Sequence, residues 1–560
     1  MLHHISFRQK IYVMIAVMSG LFLVALDQTI ISTALGKIVE EFNSFSSLSW
    51  VVTAYLLTST VTVPLAGKLS DIFGRRLMLM IGVALFTLAS LLSGSAQNIE
   101  QLIAFRAFQG IGGGILMAQA FTIIGDLFSP RERGKWQGLI GAVFGISSVV
   151  GPLLGGFLSD PHTLLSLTTS WRWTFWINVP IGFLSFLVIA RYTPNIKHDH
   201  KPKIDYLGAS FLTVALSSVV LGVDSNATTF AGLIDQGISL DMIKTAFYTL
   251  AAVAAAAFVW VERRAEEPII PLSFFRNRTF STVMAVALLF GAAFLGAILY
   301  LTQFNQQVFG ADATASGLML LPMIGGLSVT AAVTGQLISR FGKYRLPMII
   351  GFTASTVGIF LLTTLTPSSP YWHEALIMVL VGVGFGAGMP ILNLAVQNEF
   401  EQRDLGAATA SSQLFRNLGS TIGTAVLGSM LTVGVANGLG DLAKDPYIQT
   451  LKEQPAASKM LEKLNADTAL NLNTPQVKEQ IGDGLEKGLA AAPAPVKEKL
   501  KSDFEGKQSA FSDKVIDSFS DSLRSVFLVS GSLMALATGL SFLIKEKPLR
   551  GGHDDTPGVA

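Results

Sequence analysis

Apolar residues along this chain gather into repeated runs of about 18 to 25, the length at which a helix rising ~1.5 Å per residue crosses ~30 Å of hydrocarbon. A buried helix in a soluble core rarely needs that length. The runs fall near 11–35, 47–66, 77–96, 99–121, 136–158 and 173–190, then 206–223 and 245–261, then 280–302, 315–338, 346–366, 374–396, 406–434 and 525–544. The pattern predicts fourteen spanning helices. The first run holds Asp27 inside it and ends without a small-residue cleavage pattern, so it reads as a retained span and not as a signal peptide.

The polar positions orient these spans. Alternate short loops carry Lys68, Arg75 and Arg76; Arg131, Arg133 and Lys135; Arg191, Lys197, Lys201 and Lys203; Arg263, Arg264, Arg276 and Arg278; and Arg340, Lys343 and Arg345. The opposite short loops hold little beyond Lys37, Arg172 and Lys244. Under the positive-inside bias both termini are expected in the cytoplasm. Trp50, Trp136, Trp171, Trp173, Trp260 and Trp372 fall at span ends, where an indole prefers the interface. Composition agrees with lipid as the solvent: half of the 560 residues are apolar, 14% are charged and mean hydropathy is +0.52. There is no cysteine, hence no disulfide or thiolate metal site, and the net charge of +2 with no basic stripe gives no sign of nucleic acid.

One stretch departs from short loops. Residues 437–522, rich in Lys, Asp, Glu and Ala, lie between spans 13 and 14 on the outer side. Met460 to Leu470 and Val496 to Phe519 have helical spacing, with Pro475, Pro493 and Pro495 as breaks. A solvated helical hairpin, a substrate lid and a docking site for an envelope partner all stay open for it.

The chain repeats internally. Gly67-Lys-Leu-Ser-Asp-Ile-Phe-Gly74-Arg after span 2 matches Gly335-Gln-Leu-Ile-Ser-Arg-Phe-Gly342-Lys after span 10, and Gly110, Gly112 and Gly114 match Gly384, Gly386 and Gly388 at nearly the same offset. Two matches at one period predict an all-α membrane protein of two pseudo-symmetric six-helix bundles, residues 1–192 and 279–550. A linker with two extra transmembrane helices, 193–278, separates them, and 551–560 is a cytoplasmic tail.

Gly67 to Arg76 is the most specific local signal: Gly67 and Gly74 permit close turns, and Asp71 sits at a helix end where Arg75 and Arg76 can pair with it. Such a segment can latch two helices. It resembles the loop 2–3 signature of the major facilitator superfamily. Leu26-Asp27-Gln-Thr-Ile, Arg106-Ala-Phe-Gln-Gly110, Gly151-Pro152-Leu-Leu-Gly155-Gly156 and Trp171-Arg172-Trp-Thr-Phe-Trp-Ile-Asn178 are similar to signatures of its fourteen-span drug/proton antiporter branch. The resemblance implies a major facilitator fold, multidrug efflux from the bacterial cytoplasmic membrane, and a proton-coupled antiporter that exports amphipathic or cationic drugs and lipophilic compounds, with protons as coupling ion, no cofactor and no enzyme activity. In that branch the Gly151, Pro152, Gly155, Gly156 element accompanies export against proton entry. Glycine used only for close helix packing is the other reading of it. The second half departs from the first, with Ser339 in place of Asp71 and Leu380 where Arg106 would repeat.

Charges inside spans are costly and normally face a cavity or a partner. Asp27 has three readings: proton coupling, binding of a cationic substrate, or a structural hydrogen bond. Arg106 cannot readily release a proton; it holds a carboxylate or carbonyls, or serves structure alone. Arg416 resembles the arginine the branch carries in its penultimate span. Glu399 reads as a solvated loop charge. Polar Gln119, Gln303, Asn305, Asn393, Gln397, Gln413 and Asn417, with aromatic Tyr55, Phe144, Tyr300 and Phe385, can line a mixed cavity for amphipathic substrates, although each alone also suits helix packing. No phosphate-loop run is present, and all seven histidines lie in tails, loops or span edges, which weakens the membrane sensor or enzyme alternative. Export of an endogenous lipid, siderophore or peptide is the rival within transport. The chain is expected to act as a monomer in the bilayer.

Overall fold

The computed structural model describes residues 6–42, 48–159, 163–164, 167–193, 205–225, 230–234, 236–311, 313–401, 404–452, 469–470, 472–473, 475–488 and 493–549. The expected tail 551–560, Lys197, Lys201 and Lys203, most of the expected helix from Met460 to Leu470, and the side chains of Arg131 and Pro152 lie outside the described residues. Fourteen long helices carry the fold: α1 (Phe7–Phe42), α2 (Leu48–Phe73), α3 (Arg75–Gly94), α4 (Ile99–Leu127), α5 (Pro130–Ser159), α6 (Asn178–Tyr192), α7 (Tyr206–Asp224), α8 (Leu240–Glu262), α9 (Arg278–Gln307), α10 (Leu321–Phe341), α11 (Arg345–Leu362), α12 (Tyr371–Gln397), α13 (Leu405–Leu439) and α14 (Ala494–Ser541). Thirteen are long and apolar enough to cross a membrane by length and composition, and α5 completes the set. An unbroken helix is what the apolar runs require, because lipid offers no partner to a free backbone N–H or C=O.

Local sequence sets the ends. Asn98 caps α4 by accepting from Gln101 N at 2.9 Å, and Asn277 caps α9 by accepting from Thr279 N and Phe280 N at 2.9 and 3.1 Å. Gly74 turns the chain between α2 and α3 at φ 94°, a conformation that side-chain-bearing residues rarely adopt. The one departure from an all-helical chain among the described residues is a two-residue antiparallel ladder between α5 and α6, pairing Thr163 with Thr168 and Leu164 with Leu167.

Packing repeats with a shift of eight helices. In the first bundle α1 packs on α5 and α6, α2 on α4, and α3 on α4 and α6; in the second α9 packs on α13 and α14, α10 on α12, and α11 on α12 and α14. Between bundles α5 meets α10 and α2 meets α13, which are again equivalent pairs. The inserted α7 and α8 pack on each other, and α7 leans on α2 and α13. That places the pair outside the bundles, against both, where Leu212, Leu216 and Phe258 join Val61 and Leu414 in one apolar cluster.

Both described ends of the chain lie on one face. Lys10 stands 5.5 Å from the Phe128 ring at the end of α4, while Lys547 reaches the α10–α11 loop through Tyr344 Oη at 3.4 Å. We call this the terminal face.

The last span corrects an expectation. Sequence patterning separates a polar helix at 496–519 from a span at 525–544, yet α14 is continuous for 48 residues, about 72 Å. The reason is that nothing between Val496 and Ser541 interrupts a helix: Pro493 precedes α14 and Pro495 sits in its first turn, where a missing N–H costs nothing. Its outer half carries a folded subdomain. Tyr447, Ile448 and Leu451 of the short helix Pro446–Lys452, with Leu472 and Ile481, pack on Phe504, Phe511 and Val515 of α14. The Tyr447 ring lies 5.4 Å from Phe504 and 5.2 Å from Phe511, and Gln508 Nε2 donates to its hydroxyl at 3.0 Å. Tyr447→Ala is expected to cost this subdomain about 3 kcal/mol. Limited proteolysis would then cut within 440–515 while the membrane bundles stay protected.

Candidate functional site

Three of the motifs quoted above converge in the first bundle. Asp27 of α1, with none of its surface exposed, receives Arg106 Nη1 of α4 at 2.5 Å on Oδ2 and Gln109 Nε2 at 2.8 Å on Oδ1. Asn178 Nδ2, at the start of α6, adds a longer contact to Oδ1 at 3.4 Å. Ser90 Oγ of α3 accepts from Gln109 at 2.6 Å and from Asn178 at 3.2 Å, which fixes both amides. Arg106 also donates from Nε to Val51 O at 3.1 Å and lies 4.4 Å from the Tyr55 ring. A buried charge is tolerable only when paired and hydrogen-bonded, and this one is, by donors of α4 and α6 that α2 and α3 hold in turn. Sequence brought Asp27 and Arg106 forward; Gln109 and Asn178 stood inside the quoted motifs without a role, and Ser90 carried no signal in an apolar run.

A second ion cluster holds the terminal face. Arg75 Nε donates to Asp126 Oδ2 at 2.7 Å, Arg75 Nη2 pairs with Asp71 Oδ1 at 2.5 Å, and Arg75 also donates to Ser70 Oγ. Arg76 donates to Ala190 O on α6. Asp126 was missed in the sequence, although a carboxylate at the end of an apolar run was its signal. The cluster abuts the seam between bundles. A Cβ placed on Gly67 would lie 2.5 Å from Ala410 Cβ, and one on Gly406 would overlap the Asp71 carboxylate, so α2 and α13 touch there. Across the other half of the seam Gly134 and Gly138 of α5 meet Gly335 and Ala331 of α10 backbone to backbone. Gln397 bridges the bundles as well: it accepts from Gln137 Nε2 at 3.1 Å and donates to Phe121 O at 3.1 Å.

The glycine motif of α5 sits beside Asp27. Thr29, two residues on, donates to Ser147 O of α5 at 3.0 Å, and a Cβ on Gly151 would overlap Thr29 Oγ1. Gly155 is buried, while a Cβ on Gly156 would meet nothing within 4 Å. The two ends of the motif therefore differ. Gly151→Leu is expected to force α1 from α5 and slow transport at least about tenfold, at an overpacking cost of about 1–3 kcal/mol. Gly156→Leu is expected to leave the rate within about twofold, because open space costs nothing to fill. Initial transport rates of the two variants check the contrast.

The proposed cavity residues engage different partners. Tyr55 belongs to the Asp27 cluster, and Gln119 Nε2 donates to Ala66 O of α2 at 3.2 Å. Tyr300 Oη donates to Thr424 O of α13 at 2.9 Å, and Asn393 Nδ2 reaches only Met389 O of its own helix at 3.4 Å. Phe144 and Gln303 are half-buried. Arg416 of α13 lies across the seam, 5.9 Å from the Phe121 ring of α4. Glu399, expected as a solvated loop charge, is instead covered: its side chain is 1% exposed because Lys547 Nζ at 2.5 Å and Asn277 Nδ2 at 2.8 Å close over Oε2. Glu374, unremarked in the sequence, is fully buried in the first turn of α12. With its amide nitrogen turned toward the carboxylate, Asn305 of α9 donates to both Glu374 oxygens, at 2.8 and 3.1 Å. Its signal was a carboxylate entering an apolar run. No group of three or more His, Cys, Asp or Glu able to hold a metal ion occurs among the described residues.

Comparison with known proteins agrees with this architecture. The family model described as Major Facilitator Superfamily matches residues 17–424. The Multidrug transporter protein MdtP of Bacillus subtilis (strain 168) is 35% identical over 535 residues, covering 95% of this chain and 92% of that protein. Multidrug resistance protein 3 of the same organism is 38% identical over 430 residues, 77% of this chain and 81% of its own. Among solved structures, the proton:xylose symporter XylE superposes with a TM-score of 0.57 at 14% identity, over 97% of this chain and 98% of that one, a likeness of fold.

Proposed function

We propose that this chain, which belongs to the major facilitator superfamily, is a proton-coupled antiporter that exports amphipathic lipophilic compounds by alternating access. It is a multi-pass membrane protein of a transporter family whose relatives include proteins named as a multidrug transporter and an efflux pump. The single observation that carries the coupling step is the Asp27–Arg106 pair, a carboxylate closed from solvent between four helices and one turn from the α1–α5 contact at Gly151. A proton arriving on Asp27 removes the attraction for Arg106, and the released guanidinium and amides re-pair as α1 shifts against α5. The bundles rock about the α5–α10 and α2–α13 seams. Basic loops make the terminal face cytoplasmic in a bacterial inner membrane. With that face closed by the Arg75 cluster and the glycine contacts, the conformation is the one that receives protons and releases substrate outside.

The energy suffices. One proton crossing ~100 mV contributes ~2.3 kcal/mol, and half a pH unit adds ~0.7 kcal/mol. One-for-one exchange then sustains roughly a hundredfold gradient of a neutral compound. The test is uptake into proteoliposomes of everted orientation with the lumen acidified. Accumulation that collapses on adding a protonophore supports the proposal, and accumulation indifferent to the pH gradient counts against it.

The folded subdomain on α14 favours a second reading, export of an endogenous lipid, siderophore or peptide to an envelope protein docked at 437–522. Pull-down with and without that segment separates the two.

A further inference from the structure

We infer that the face of α13 bearing Gln413 and Arg416 takes the polar head of the transported molecule, and that this head is anionic: a carboxylate, sulfonate or phosphate on a lipophilic body. The inference rests on the exporter reading above and names its substrate class. Arg416 is 8% exposed, and a guanidinium stays protonated. A charge at this depth needs a counter-charge. The buried carboxylates among the described residues are engaged elsewhere: Asp27 with Arg106, Asp71 and Asp126 with Arg75, Glu374 with Asn305, Glu399 with Lys547, and Glu262 with the Ile269 N–H at 3.1 Å. The neighbour of Arg416 across the seam is the face of Phe121, not an acid.

A second observation points the same way. Gln413, one turn earlier and so on the same helix face, is 1% exposed, and neither its amide oxygen nor its nitrogen has a hydrogen-bond partner. Each buried unpaired polar atom is costly, and native folds keep few of them. A guanidinium beside an amide is a natural receptor for a planar acid: Arg416 supplies two parallel donors, and Gln413 adds one more donor and an acceptor. A buried aromatic cluster packs close to this stretch of α13. Gly291 of α9 approaches the Arg416 carbonyl so closely that a Cβ there would overlap it, and the adjoining Phe290 and Phe294 pack with Phe385 of α12 at ring separations of 5.6 and 4.9 Å. A cationic head would meet only repulsion at Arg416.

Binding of a matched series tests this: pyrenebutyrate, its methyl ester, and the pyrenebutyl trimethylammonium ion, by equilibrium dialysis against purified protein in nanodiscs, with empty nanodiscs subtracted. The wild type is expected to bind the acid at least about tenfold tighter than the ammonium ion. Arg416→Gln should remove most of that preference, Gln413→Leu should weaken the acid by about threefold, and Arg416→Lys should retain part of it, while the ester changes little. Should Arg416→Gln fail to fold, the wild-type ranking decides alone. Equal or tighter binding of the ammonium ion overturns the inference, as does unchanged acid affinity in folded Arg416→Gln. No gradient is imposed, so a failure of proton coupling leaves this result untouched, and a reversed ranking leaves the exporter reading standing.

Discussion

Asp27→Asn is expected to give an inserted protein that still exchanges substrate but no longer accumulates it against an imposed pH gradient, a loss of at least about a hundredfold if the whole ~3 kcal/mol of the proton gradient is decoupled. Asparagine keeps the size of the side chain, and its single amide oxygen can still accept from either Arg106 or Gln109. It cannot cycle between charged and neutral forms. The substitution also leaves Arg106 buried without a counter-charge, and breaking a buried pair from one side costs about 3–5 kcal/mol. Lower stability alone would therefore be ambiguous. The double variant Asp27→Asn with Arg106→Gln removes both charges and is expected to regain most of that stability, since a neutral pair in the same place leaves no orphan ion. Coupling should stay absent. Thermal unfolding in detergent reads the first effect and substrate-dependent proton flux reads the second. Recovery of gradient-driven accumulation in the double variant would assign Asp27 to structure alone.

Gly335→Leu is expected to hold the terminal face open. A Cβ at this position would overlap Gly134 O and lie 2.9 Å from Gly134 C and 3.0 Å from Lys135 Cα, all of them backbone atoms that no rotamer change can move aside. Overpacking of about 2 kcal/mol against the closed state shifts its population roughly thirtyfold. The chain has no cysteine, so labels placed at Glu132 and Arg340, on the two sides of the α5–α10 contact, need no background removal. Their separation should lengthen by several ångströms in the variant, and export should fall with it. An unchanged distance distribution would show that the seam closes by other contacts.

Much of the architecture was legible because hydrocarbon forces a long apolar run to be a helix, and because duplicated halves leave matching glycines. The α2–α4 contact passes through Gly110 and Gly114 and the α10–α12 contact through Gly386, all of which the repeat picked out, and Gly382, which it did not, also lies against α10, while Gly384 lies against α11. The continuity of α14 was not legible, because a change from apolar to polar surface looks like a helix end when the backbone is simply leaving the membrane. Within the site, Asp27 and Arg106 stood out as charges in apolar runs. Ser90 did not, since a serine there also serves helix packing. Gln119 and Gln397 were indistinguishable in sequence as polar residues inside spans. Only the bundle arrangement separates them, by putting Gln119 between α4 and α2 and Gln397 across the seam.

The central claim is exchange of substrate for protons through Asp27. It is tested most directly by loading proteoliposomes with substrate and a pH-sensitive dye, imposing no pH gradient, and letting the substrate gradient run down. Antiport is expected to acidify the lumen as substrate leaves, in proportion to the substrate lost, and Asp27→Asn is expected to abolish the signal while the protein stays folded. Substrate efflux from the wild type with no proton movement would contradict the claim, and so would undiminished acidification with Asp27→Asn.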